Sequence, residues 1–72
     1  MSEIKVTMRA ARVNAGLTQR QVAAALNVDK GTVCSWENGK TSPAVNMAIA
    51  FCELCNVPFD SVTFLRQRNA IK

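Results

Sequence analysis

Histidine and tyrosine are both absent from this chain of 72 residues, and one tryptophan and three phenylalanines make up its aromatics. Without imidazole, hydrolytic triads and imidazole acid–base catalysis are excluded, and enzyme function is not expected. Cysteine is also scarce. Cys34, Cys52 and Cys55 fall short of the four Cys or His ligands that a closed structural zinc site requires. Cys52 and Cys55 form a CxxC, but within an apolar helical stretch with no strand beside it, unlike a redox motif. Reduced thiols acting as small hydrophobes in an intracellular protein are the simpler reading. No apolar run approaches the ~20 residues of a membrane span. The opening MSEIKVTM lacks the apolar core of a signal peptide, so a soluble, cytoplasmic protein is expected. No cofactor, metal or small-molecule ligand is implied.

Acidic residues are few as well, five against nine Lys and Arg, for a net charge of +4. A basic balance favours a polyanionic partner. Half of the excess sits after Val57, however, in Arg66, Arg68 and Lys72 against Asp60, where a solvated tail explains it. Charge alone does not point to DNA.

What is present is an ordinary globular balance, 49% hydrophobic and 19% charged, in a length that supports one domain with a modest core. Gly16, Asn27, Gly39 with Pro43, and Asn56 with Pro58 divide it into five short segments, none with the alternation of a half-buried strand. The first, about Val6 to Ala15, places Ile4, Met8, Ala11 and Ala15 at helical spacing before Gly16. In the second, Thr18 and Gln21 form a capping box, and Leu17 and Val22 a hydrophobic staple, for a helix over Gln19 to Leu26. Asp29 caps a third helix, Lys30 to about Glu37, whose inner edge is Val33 and Trp36 while Gly31, Cys34 and Ser35 face away. Only Asn27-Val28-Asp29 joins these two helices, with Val28 as a buried pivot. The fourth, about Ala44 to Cys55, carries the stripe Met47, Ala48, Phe51, Cys52 and Cys55. Ile49, Ala50 and Leu54 fall outside it and need cover from Phe64 and Leu65 or a second subunit. A short fifth helix, about Phe59 to Thr63, is expected to bury Val57, Phe59 and Val62.

The run Gly16-Leu17-Thr18-Gln19, then Val22-Ala23, Leu26, Val28, Val33, Trp36-Glu37-Asn38-Gly39-Lys40 and Pro43 resembles the Cro and phage-repressor helix-turn-helix family, also called the XRE family. With Arg12 upstream and Asn56-Val57-Pro58 downstream, the likeness covers about residues 4 to 65. It implies an all-α, lambda-repressor-like domain, a compact five-helix bundle over residues 1–65 followed by a basic tail at 66–72. It further implies double-stranded DNA as the partner, a transcription regulator without an effector domain, and a homodimer on a pseudo-palindromic operator. In such proteins the helix matching Lys30–Glu37 enters the major groove and the one matching Gln19–Leu26 crosses the backbone.

On that pattern Lys30, Gly31, Thr32 and Ser35 occupy the reading face. Lys30 can donate to guanine, and Thr32 can offer its hydroxyl or its methyl. Gly31 has nothing to read with and can only permit close backbone approach. This departs from relatives with Gln, Arg or Asn there, and implies few direct base contacts. Thr18, Gln19, Asn38 and Lys40 match phosphate contacts, and Gln19 has no core role to explain it otherwise. Arg12 and Glu37 match a pair that ties the first helix to the end of the reading helix. Two rival classes remain. One is a protein-interaction module or antitoxin of the same fold, with DNA binding secondary. The other is a cationic membrane-active peptide, opposed by the interleaved acids and the core pattern.

Overall fold

The computed structural model describes residues 5–64. Ile4, Leu65 and the basic tail at 66–72 lie outside the described residues. The order is β1 (Val6–Thr7), α1 (Met8–Asn14), α2 (Gln19–Leu26), α3 (Lys30–Glu37), α4 (Val45–Cys55), a 3₁₀ turn (Phe59–Ser61) and β2 (Val62–Thr63).

Each helix ends the same way. Gly16, Asn27, Gly39 and Asn56 all take positive φ, at 78°, 61°, 79° and 58°. At each, the next residue's N–H reaches back five positions: Leu17 to Arg12, Val28 to Ala23, Lys40 to Ser35 and Val57 to Cys52, at 2.9–3.1 Å. These are Schellman endings, which satisfy carbonyls that a helix terminus leaves without partners. The start of α2 is equally well determined. Gln21 N donates to Thr18 Oγ1 at 3.0 Å, and Thr18 N donates to Gln21 Oε1 at 2.8 Å, completing the capping box. Asp29 occupies the corresponding place before α3, but its side chain makes no cap bond.

The helical core unites Met8 and Ala11 of α1, Val22, Ala23 and Leu26 of α2, Val33 and Trp36 of α3, and Phe51, Cys52 and Cys55 of α4, with Val62 beneath. Burial raises the thiol pKa values of Cys52 and Cys55, so both are neutral at ordinary pH and pack as hydrophobes. Val28, between α2 and α3, packs against the core but is only half-buried.

Three expectations are corrected. Among the described residues the bundle has four α-helices, and the fifth segment is a three-residue 3₁₀ turn followed by a strand. Val62 and Thr63 are β-branched and pair in parallel with Val6 and Thr7, a contact that outcompetes a helix too short to stabilise itself. The same pairing delays α1, because Thr7 stays extended and its hydroxyl accepts from Ala10 N at 3.0 Å. Phe59 is correspondingly 45% exposed rather than buried.

Phe64 stacks edge-on against Phe51, with ring centres 6.3 Å apart, so it covers the core. Ile49 remains 43% exposed and Leu54 37%. Five residues apart on a helix, these two diverge by ~140° and do not form one stripe. Ala50 packs against the core.

Candidate nucleic-acid interface

Glu37 ends α3 inside the molecule, with its side chain only 2% exposed. A carboxylate there needs full compensation. Arg12, from α1, provides most of it: Nε donates to Glu37 Oε2 at 2.6 Å and Nη2 to Oε1 at 3.3 Å. Arg12 Nη1 donates to the Leu17 carbonyl at 2.9 Å, so one guanidinium ties α1 to both the α1–α2 connection and α3. Gln19 contributes a further bond, Nε2 to Glu37 Oε1 at 3.0 Å. The expectation that Gln19 has no internal role is therefore corrected: its amide helps to satisfy the buried carboxylate. No buried side-chain nitrogen or oxygen lacks a partner among the described residues.

Over this network, with Arg12 and Gln19 in its wall, lies a groove of about 620 Å³ where α1, α2 and α3 meet. Thr18, Gln19, Lys30 and Asn38 line it, together with Arg9, Arg12, Leu17, Arg20 and Cys34. Four of these nine are cationic and none is acidic. Cys34 is half-buried in this wall, and Asn38 Nδ2 donates to its sulfur at 3.4 Å. The remaining candidates lie elsewhere. Gly31 is exposed, with open space where a Cβ would stand. Thr32 and Ser35 are half-buried. The Ser35 carbonyl accepts from Lys40 N at 3.0 Å, which fixes the turn that exposes Lys40.

Arg9 and Arg20 are additions that motif reading passed over. Their signal is electrostatic. Helix N-termini favour anions, so a cation there opposes the helix dipole by roughly 0.3–1 kcal/mol. Here α1, α2 and α3 carry Arg9, Arg20 and Lys30 within their first two positions, and none has an acid in its first turn. All three cations line the one groove. Placing them against their own helix dipoles sacrifices stability and concentrates positive potential, an arrangement that suits an anionic ligand.

No described group of three or more His, Cys, Asp and Glu is arranged to hold a metal ion. No helix among the described residues is long and apolar enough to cross a membrane. A family model described as helix-turn-helix matches residues 8–62. No curated protein matches the chain.

Proposed function

The chain belongs to the helix-turn-helix family, of the Cro and phage-repressor type, and from this premise we propose that it represses transcription by inserting α3 into the major groove of an operator. Members of that family are DNA-binding transcription regulators. The observation that carries the finer reading is the groove at the junction of three helices, where Arg9, Arg20 and Lys30 add their charges to an Arg12 already paired with Glu37. Attraction to phosphate supplies sequence-independent affinity, and Thr18, Gln19, Asn38 and Lys40 set the register on the backbone. Lys30, Gly31, Thr32 and Ser35 form the reading face, Lys30 as a donor to guanine and Gly31 as a point of close approach. Arg12 and Glu37 support that surface from beneath. Neither a cofactor nor a chemical step is involved, and the chain acts on cytoplasmic DNA.

An eight-residue α3 is about 12 Å long and spans only a half-site, so two copies on a pseudo-palindrome are proposed. A second reading, a protein-interaction module or antitoxin of this fold, draws on the exposure of Ile49, Leu54 and Phe59. The divergence of Ile49 and Leu54 around α4 weakens it.

Affinity for the best operator and for scrambled DNA, measured at several salt concentrations, tests the proposal. Lys30→Ala is expected to relax preference at one base pair by about 1–3 kcal/mol, and Ser35→Ala to act likewise but more weakly. Lys40→Ala should weaken all sequences alike and lower the salt slope by about one unit. Arg20→Glu is expected to move two quantities in opposite directions. It stabilises the free protein by roughly 0.3–1 kcal/mol through the α2 dipole while weakening every DNA complex. If none of these changes alters DNA binding, this face is not the DNA surface and the interaction-module reading takes precedence.

A further inference from the structure

A phosphate-binding amide is useful only if its donor end faces the phosphate, and a free glutamine side chain has no such preference. Gln19 is not free. Its Nε2 donates to Glu37 Oε1 at 3.0 Å, 18 positions along the chain, and an ionised carboxylate only accepts. The bond therefore fixes which end of the amide turns inward and leaves one Nε2 hydrogen unused. Lys30, the cation that α3 contributes to the groove, is a pure donor and cannot hold the amide in this way. Glu37 is itself buried, 2% exposed, and held by Arg12 Nε at 2.6 Å. Beside the amide, the backbone N–H groups of Gln19 and Arg20 precede the first intrahelical bond of α2, Val22 N to Thr18 O, and remain for a ligand.

We propose that Glu37 is a positioning residue for phosphate recognition: it holds the Gln19 carboxamide in place so that a DNA phosphate meets an oriented donor beside the first N–H groups of α2. This rests on the DNA-binding reading above. It assigns the buried acid a function beyond its ion pair with Arg12, although Glu37 itself touches no DNA.

Charge and positioning make opposite demands on Glu37→Gln. Removing a negative charge beneath a DNA surface raises affinity if only the long-range field matters. Positioning demands a loss. In Glu37→Gln the isosteric amide offers its oxygen to Arg12 and turns its own N–H toward Gln19. Two donors then face each other, and the Gln19 amide must reverse.

The test is a double-mutant cycle on the full chain, using a labelled random-sequence duplex as the probe and thermal unfolding as the control. Gln19→Ala is expected to weaken binding about three- to tenfold with an unchanged salt slope, since no charge is lost. Glu37→Gln should weaken it by a similar factor, and the double variant by no more than Gln19→Ala alone. Affinity that rises in Glu37→Gln, or falls equally in both backgrounds, overturns the proposal and leaves the DNA reading intact. A wild type that fails to bind the duplex at low salt overturns both.

If Glu37→Gln does not fold, the Gln19 side-chain amide protons of the wild type decide. One of them is expected to be displaced from its solvent-exposed position in the free protein, and the other to move on adding the duplex. Two amide protons at ordinary solvent positions in the free protein, or no response of the second to DNA, overturn the proposal.

Discussion

Trp36→Ala is expected to unfold this domain. The indole is 6% exposed and lies on the inner edge of α3 with Val33, within the core shared by all four helices. Truncating a buried tryptophan costs about 3–5 kcal/mol, and domains in general are stable by only about 5–15 kcal/mol. A chain of 72 residues buries a smaller fraction of its surface than larger domains do and belongs at the low end of that range. Circular dichroism at ambient temperature should show helix content lost or a cooperative transition displaced far downward. Wild-type tryptophan fluorescence provides the complementary check, with emission expected at short, apolar wavelengths. A fully solvated emission maximum in the native protein would contradict this placement.

Breaking the Arg12–Glu37 pair from either side is expected to cost nearly as much. With side-chain exposures of 11% and 2%, the two charges are shielded from water and joined by two hydrogen bonds. Removing one partner of a buried pair strands the other and costs about 3–5 kcal/mol. Replacing both by apolar residues of similar volume should cost much less than the sum of the single changes. Denaturant unfolding of Arg12→Met, Glu37→Leu and the double variant measures the coupling. An exposed pair would couple by under about 1 kcal/mol, so additive single variants would reduce this bridge to two independent charges.

These two cases also show where residue types and spacing carry information. Trp36 at three residues from Val33 on a polar helix is a local pattern, and so is the capping box of Thr18 and Gln21. The four helix ends are legible for the same reason, since only glycine and asparagine readily take the left-handed conformation that a Schellman ending needs. The segment after Pro58 is not legible locally. Its fate depends on Val62 pairing with Val6, 56 positions away, and neither two-residue strand carries a pattern of its own. Gln19 was legible as a polar residue without a core role, but its bond to Glu37 depends on how α2 and α3 pack. Arg9 and Arg20 could have been found from sequence once helix starts were placed, because cations in a first turn work against the dipole.

Selection of duplex DNA from a random pool tests the central claim most directly, because it reports binding and motif symmetry together. The account predicts a recovered motif with two-fold symmetry and half-sites whose centres lie about 10 base pairs apart, or a multiple of that. Repeating the selection with Lys30→Ala should degrade the same base pair in both half-sites. A pool that yields no shared motif, or no retained DNA even at low salt, would contradict an α3 that reads the major groove.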